Sequence, residues 1–179
     1  MFSKYERLFK KYSKLYGLDW LRVTAQAYQE SRLDNNKRSD DGALGLMQVR
    51  PELARDKRID IKNIEEPNNN VHAGVKYMAL LRNHFFKDPD LSPEERYRFA
   101  LAAYNAGPTA IMKMRKIALE LGLDPNKWLN NVEIVALKHI GNQPVEYVRN
   151  IEKYFMAYKL SEFFEDENLQ AINDEYFHK

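Results

Sequence analysis

The chain has 179 residues, of which 28 are lysine or arginine and 26 are aspartate or glutamate, so its net charge is only +2. A charge that small gives no electrostatic reason to expect a nucleic acid as partner. The absence of cysteine excludes disulfides, cysteine nucleophiles and thiolate metal sites. Hydrophobic residues make up 44% of the chain, enough for a packed core, and no apolar stretch approaches the roughly 20 residues of a membrane span.

The N-terminal third predicts two helices followed by a loop. Apolar residues recur at helical spacing up to Tyr16, and Gly17 suits the end of that helix. Asp19 fits the N-cap of a second helix, which is expected to end near 30–31. Residues 34–45 are polar and contain two glycines, so they are expected to form a loop.

The rest of the chain continues the helical pattern, with no strand alternation and no internal repeat. Helical spacing and capping signals predict helices over 68–86, 92–105, 108–122 and 144–160, with short turns beginning at Pro51 and Asp124. The fold class is therefore predicted to be all-α, with residues 1–179 as one domain and a core over about 12–160. The tail over 161–179 carries six acids against one lysine and either packs through Phe163, Phe164 and Tyr176 or frays.

Three segments carry candidate chemistry. Glu30 ends a helix that is largely apolar, a Gly-rich apolar stretch follows over 42–49, and a Tyr-Asn pair lies within 102–107. A carboxyl group among apolar neighbours has its ionised form disfavoured, so its pKa rises. Such a group can donate a proton near neutral pH. The residues alone leave open the alternative that Glu30 is a solvated residue at a helix end.

These segments together resemble the soluble-lytic-transglycosylase-like (SLT) family of bacterial cell-wall enzymes. The resemblance spans about Tyr12 to Tyr158, and the stretches 28–31 and 124–129 are most similar to the membrane-bound lytic transglycosylase F subgroup. The motifs that carry it are Glu30-Ser31, Ser39, the Gly-Ala-Leu-Gly-Leu-Met-Gln stretch over 42–48, the Ala-Ala-Tyr-Asn-Ala-Gly stretch over 102–107, and the Tyr-Val-Arg-Asn-Ile stretch over 147–151.

The resemblance implies a lysozyme-like helical fold with a substrate cleft. It also implies cleavage of the β-1,4 bond between N-acetylmuramic acid and N-acetylglucosamine in peptidoglycan. No water is consumed, and the product ends in 1,6-anhydro-muramic acid. Glu30 matches the catalytic residue, as general acid and then general base. The residues that match the substrate-binding positions are Ser31, Ser39, Gly45, Leu46, Met47, Gln48, Tyr104, Asn105 and Tyr147.

The same resemblance implies the partner and the place of action. The expected partner is a peptidoglycan glycan strand, and the expected location is the bacterial periplasm or cell envelope, or else a phage particle. An export signal is not expected within the chain, because its first residues lack the apolar core of a signal peptide. The chain is expected to be a monomer.

Departures from the family pattern occur near the predicted cleft. Asn35 stands where the family often has proline, Arg50 where it often has methionine, and 143–146 replaces a frequent Glu-Thr-Arg stretch. These positions bear on contacts with peptide stems and on substrate preference rather than on the central acid.

Two alternatives stay open at this point. A goose-type-lysozyme-like muramidase would hydrolyse the same bond and would need a further carboxylate to hold water, for which Asp40 and Asp41 are candidates. A catalytically inactive peptidoglycan-binding domain is the other. Neither a metal nor a cofactor is expected, because the four histidines are scattered and the acidic loops lack calcium-ligand spacing.

Overall fold

A computed structural model describes residues 3–177, with side chains described for 3–166. Within that part the chain forms α-helices and two short π-helical turns but no extended strand, which confirms the all-α prediction. The π-helical turns are Leu81–Phe85 and Trp128–Val132. The α-helices are α1 (Glu6–Tyr16), α2 (Trp20–Ser31), α3 (Pro51–Arg55), α4 (Pro67–Leu80), α5 (Pro93–Ala106), α6 (Pro108–Glu120), α7 (Glu133–His139) and α8 (Asn142–Phe177).

The predicted capping residues lie at the helix ends. Gly17 follows α1 in the left-handed conformation, with a φ of 67°. The carboxylate of Asp19 accepts a hydrogen bond from the backbone N–H of Leu21 at 2.9 Å, which satisfies one of the free donors at the start of α2. Ser92 caps α5 in the same way through the N–H of Glu95. These local signals therefore fixed where the helices begin.

The last helices differ from the prediction. Helix α7 was not predicted, because its seven residues follow a kink in which Asn130 has a φ of 58°. Helix α8 runs to Phe177 instead of ending near residue 160. Over 161–166, the part of this extension whose side chains are described, Phe163 and Phe164 are more than half exposed. The side chain of Tyr176 lies outside the described residues.

Two clusters of buried side chains meet along α2. Ala25 belongs to the cluster built mainly with α5, α6 and α8, and Val23 and Ala27 belong to the cluster built with α1 and α4. Helix α2 also packs along α8. A residue in the last turn of α2 is consequently held by both halves of the core. No helix in the described part is long and apolar enough to cross a membrane.

Candidate active site

Glu30 lies in the last turn of α2 and faces α8. The hydroxyl of Tyr147 donates a hydrogen bond to its carboxyl oxygen Oε1 at 2.5 Å. Gln26, one helical turn before Glu30, is fully buried, and its amide nitrogen donates to the Tyr147 oxygen at 3.1 Å. The chain Gln26–Tyr147–Glu30 therefore fixes the carboxyl group at the junction of the two helices.

The environment of Glu30 changes its ionisation. Burial raises the pKa of its carboxyl group from 4.5 to about 7, and the Tyr147 hydrogen bond and the charge of Lys37 oppose that rise. Burial also raises the pKa of Tyr147 well above its usual value, and the charge of Glu30 adds to that effect. Glu30 thus exchanges a proton near neutral pH, while the Tyr147 phenol remains a donor.

The backbone turns sharply after α2. Arg32 and Leu33 both have left-handed conformations, with φ of 55° and 62°, which non-glycine residues rarely adopt. Surrounding contacts hold this turn in place. The guanidinium of Arg32 lies 4.6 Å from the ring centre of Tyr28 and donates to the hydroxyl of Tyr154 at 2.9 Å. The direction in which the chain leaves Glu30 is thereby fixed.

Ser31 connects the end of α2 to the Gly-rich loop over 44–48. The residue is 2% exposed, and its hydroxyl, which has a single proton to donate, lies within hydrogen-bond distance of two backbone carbonyls, that of Ala27 at 3.1 Å and that of Leu46 at 3.0 Å. Both partners are backbone atoms of the protein. Ser31 therefore positions the loop against the end of α2, and its hydroxyl is not exposed to a substrate, contrary to the prediction.

Asn70 of α4 holds the other side of that loop. Its buried side chain accepts from the N–H of Met47 at 2.8 Å and donates to the carbonyl of Leu44 at 2.7 Å. Gly45 passes close to Asn70: its φ is 76°, and a Cβ atom there would lie 2.5 Å from the Asn70 amide nitrogen. Only glycine allows the loop to approach α4 this closely.

A cleft of about 370 Å³ opens beside the loop. The hydroxyl of Tyr104 donates to the Met47 carbonyl at 2.7 Å, and its ring lies 5.3 Å from the ring of Tyr77. Burial is the main cause of a raised pKa for Tyr104, and the charge of Glu30 raises it further. The carboxyl group of Glu30 is therefore near Tyr104, which lines the cleft. The cleft is lined by Gln48, Arg50, Leu53, Tyr77, Tyr104, Asn105, Ala106 and Gly107.

The structure brings only some of the predicted site residues to this cleft. Gln48, Tyr104 and Asn105 line it. Glu30 and Tyr147 are not among the lining residues, but their hydrogen-bonded pair is close enough to Tyr104 for the charge of Glu30 to raise the pKa of Tyr104. The amide nitrogen of Gln48 donates to the Gly45 carbonyl at 2.9 Å, which leaves its side-chain oxygen for a ligand.

Leu46 and Met47 were predicted to bind substrate, and the structure does not expose their side chains for that contact. Leu46 and Met47 are both 0% exposed, because the loop turns these side chains into the core beneath it. Met47 packs against Gly74, where a Cβ atom would lie 2.6 Å from the Met47 Cβ. These two residues contribute backbone carbonyls that anchor Ser31 and Tyr104, not side-chain surface for a sugar.

Ser39 lies in a turn of the exposed loop before the Gly-rich stretch. Its hydroxyl donates to Asp41 at 2.5 Å and accepts from the N–H of Ala43 at 2.8 Å. Asp41 in turn pairs with Arg50, and Asp40 is exposed. Ser39 therefore does not line the cleft itself.

Sequence reasoning missed three residues of the site: Gln26, Asn70 and Tyr77. Gln26 and Glu30 share one face of α2 at a spacing of four, and Asn70 and Tyr77 share one face of α4 at a spacing of seven. A polar residue on an otherwise apolar helix face is the signal that could have identified them. No group of three or more histidine, aspartate or glutamate side chains suited to a metal occurs among the described residues.

Comparison with known proteins identifies the family. The Transglycosylase SLT domain family matches residues 7–124, and the chain belongs to that family. It is 36% identical over 166 residues to a membrane-bound lytic murein transglycosylase F from Shewanella sediminis (strain HAW-EB3), covering 85% of this chain and 33% of the relative. The predicted resemblance to the F subgroup is thereby confirmed. The chain spans about a third of the length of that relative.

Solved structures agree on the fold. An inactive mutant of the lytic transglycosylase Slt from Pseudomonas aeruginosa superposes with a TM-score of 0.66 at 22% identity, covering 88% of this chain and 24% of that one. The 70 kDa soluble lytic transglycosylase of Escherichia coli gives 0.62 at 26% identity, covering 87% and 24%. The predicted lysozyme-like helical fold is confirmed.

Proposed function

We propose that this chain is the catalytic domain of a peptidoglycan lytic transglycosylase. It cleaves the β-1,4 bond between N-acetylmuramic acid and N-acetylglucosamine without consuming water. The observation that carries the proposal is the Glu30 carboxyl group, whose pKa is raised to about 7, which is bound by Tyr147 and whose charge acts on the cleft residue Tyr104. Family membership supports the reaction class and the substrate.

In the first step Glu30 acts as a general acid. Its proton moves to the glycosidic oxygen while the bond between that oxygen and the anomeric carbon breaks. A pKa of about 7 keeps a substantial fraction of the group protonated at neutral pH. The N-acetyl group of the substrate stabilises the positive charge that develops on the anomeric carbon, so the step needs no second carboxylate.

In the second step the ionised Glu30 acts as a base. It accepts the proton of the C6 hydroxyl of the same muramic acid, and the oxygen of that hydroxyl bonds to the anomeric carbon and closes the 1,6-anhydro ring. Glu30 is again protonated at the end. Because the nucleophile is already attached, its effective concentration reaches ~10⁵ M or more. Between the steps, the 2.5 Å hydrogen bond from Tyr147 stabilises the carboxylate.

The cleft supplies the binding surface. Tyr104 and Tyr77 offer aromatic surface to sugar rings, and Gln48 and Asn105 offer directional hydrogen bonds to acetamido and hydroxyl groups. Among the described residues, the lining of the cleft includes no aspartate or glutamate; Glu30 acts on the cleft residue Tyr104 from outside the lining, and Asp41, which pairs with Arg50, is not a lining residue. This arrangement favours the internal nucleophile over a water held by a second acid.

The wider assignments follow from the reaction. Peptidoglycan glycan strands are the partner, and the periplasm or cell envelope is the place of action because the substrate lies there. The relatives found are bacterial proteins, which gives no support to a phage particle. We propose that the chain acts as one catalytic domain, with its core over about 12–160, and as a monomer.

Muropeptides released from purified sacculi test the proposal. Mass spectrometry should find 1,6-anhydro ends, which are lighter than hydrolysed ends by one water. Glu30→Gln should lower the rate by about 10³-fold or more, because both proton transfers need this group. Glu52→Gln, on the exposed first turn of α3, is the matched control and should keep wild-type activity.

Three other outcomes would contradict the assignment. Reducing ends in place of anhydro ends would show a hydrolytic muramidase of the goose-lysozyme kind. A Glu30→Gln protein that clears the sacculi as fast as wild type would show that Glu30 is not the catalytic residue. A wild-type protein that binds sacculi without releasing any product would show a binding domain.

A further inference from the structure

The cleft carries a single charged residue. Of the residues that line it in the described part of the chain, only Arg50 is ionised at neutral pH, and the others are apolar, aromatic or amide side chains. Arg50 immediately precedes α3 and faces the same cleft as Gln48 and Tyr104. The charged group that the lining presents to a ligand is therefore a guanidinium.

Arg50 is held in place by a short relay of side chains. The Ser39 hydroxyl donates to one oxygen of Asp41 at 2.5 Å, and the other oxygen of Asp41 accepts from a terminal nitrogen of Arg50. The hydrogen bond from Ser39 is the main cause of a lowered pKa for Asp41, and the charge of Arg50 contributes. Asp41 thus stays ionised and orients the guanidinium without entering the cleft.

The relay uses only part of the donor capacity of Arg50. A guanidinium has five N–H donors, and Asp41 takes a bond from one nitrogen, Nη2. The Arg50 side chain is 58% exposed, so its remaining donors are open to a ligand. A planar fork of this kind binds carboxylates in preference to neutral hydroxyl groups.

The sugar rings of peptidoglycan are neutral, and its negative charges are carboxylates on the lactyl group or the attached peptide. We propose that Arg50, oriented by Asp41 and Ser39, is a specificity-determining residue that binds a carboxylate of the glycan strand in the cleft. This inference rests on the proposed function. It assigns anionic strands as the preferred substrate class.

The test compares three forms of one substrate. Peptide-bearing strands carry peptide carboxylates, amidase-treated strands carry free lactyl carboxylates, and carbodiimide-amidated strands carry neither. The readout is kcat/KM for release of 1,6-anhydro ends, expressed as the ratio of each anionic form to the neutralised form. Loss of one charge-assisted hydrogen bond predicts about a tenfold fall of that ratio in Arg50→Gln. The form whose ratio falls identifies which carboxylate is bound.

Matched variants separate recognition from general charge and stability. Arg55→Gln removes the same charge from α3 outside the cleft and should keep the wild-type ratio. Arg50→Lys keeps the charge without the planar fork and should give an intermediate ratio. Ser39→Ala should lower the ratio in the wild-type background, mainly through KM, and should have no further effect on it in Arg50→Gln. A purely structural Ser39 would instead lower kcat on all three forms.

A failure of the carboxylate site and a failure of the proposed transglycosylase function give different results. If the wild-type protein releases anhydro ends but Arg50→Gln keeps both ratios within twofold of wild type, the carboxylate site is wrong and the proposed function stands. A fall of equal size in Arg55→Gln would likewise overturn it, because the effect would then be one of general charge. If wild type releases no anhydro ends from any form, the proposed function itself fails.

Discussion

The carboxyl group of Glu30, at the end of α2, lowers the free energy of unfolding when it ionises. The pKa of Glu30 is raised by burial from 4.5 to about 7, so the folded state binds its proton more tightly than the unfolded state does. The stability that this preference contributes is fully present below pH 4.5 and is lost as the pH rises through 7. The raised pKa thus keeps a proton on Glu30 near neutral pH, and the same environment lowers the stability of the folded state once that proton is lost.

The raised pKa of Glu30 predicts how Glu30→Gln changes the free energy of unfolding. The variant carries a neutral amide that still accepts from Tyr147, so at pH 8 it should be more stable than wild type. A rise of the pKa from 4.5 to about 7 corresponds to about 3 kcal/mol, which is the upper limit of the gain. Urea unfolding at pH 4 and pH 8 measures it. A difference between the two proteins that does not change with pH would contradict the buried environment of Glu30.

At the scale of elements, the site depends on how α4 holds the Gly-rich loop. Asn70 bonds the N–H of Met47 and the carbonyls of Leu44 and Ile64, all from within the protein. Asn70→Ala leaves the N–H of Met47 and the carbonyl of Ile64 without partners, while the carbonyl of Leu44 keeps the N–H of Val49. The variant should therefore lower the free energy of unfolding by about 2–4 kcal/mol and lower activity as the loop loosens. Asn69→Ala is the control, because its side chain makes only peripheral bonds. Equal effects of both variants would contradict this role.

Local signals explain which elements were predictable from sequence. The caps at Asp19 and Ser92 act within three residues, so the pattern alone located the starts of α2 and α5. The contact between Glu30 and Tyr147 joins residues 117 positions apart, and only the family resemblance brought Tyr147 into the site. The inward turn of Met47 was mispredicted because the periodicity of a loop does not determine which way its side chains point.

At the scale of the whole molecule, α2 joins the two core clusters. Because each cluster contains residues of this helix, we expect the unfolding of one half to disrupt the other. The two tryptophans report on different halves: Trp128 is buried in one cluster, and Trp20 packs against the other. Their fluorescence can therefore follow each half separately.

The shared helix predicts a single cooperative unfolding transition. In Trp20→Phe the fluorescence comes from Trp128, and in Trp128→Phe it comes from Trp20. Within each variant, the fluorescence midpoint in urea should coincide with the midpoint of far-ultraviolet circular dichroism. Distinct midpoints within either variant would show that the two halves unfold independently and that Glu30 is not held by both.

The ionisation of Glu30 itself tests the central claim most directly. Carbon-13 NMR of labelled glutamate carboxyl groups, with the Glu30 signal assigned by its loss in Glu30→Gln, gives the pKa by titration. We predict a midpoint near 7 in the wild-type protein. We predict a higher midpoint in Tyr147→Phe, because the lost hydrogen bond stabilises the carboxylate. A wild-type midpoint near the ordinary value of 4.5 would contradict the account.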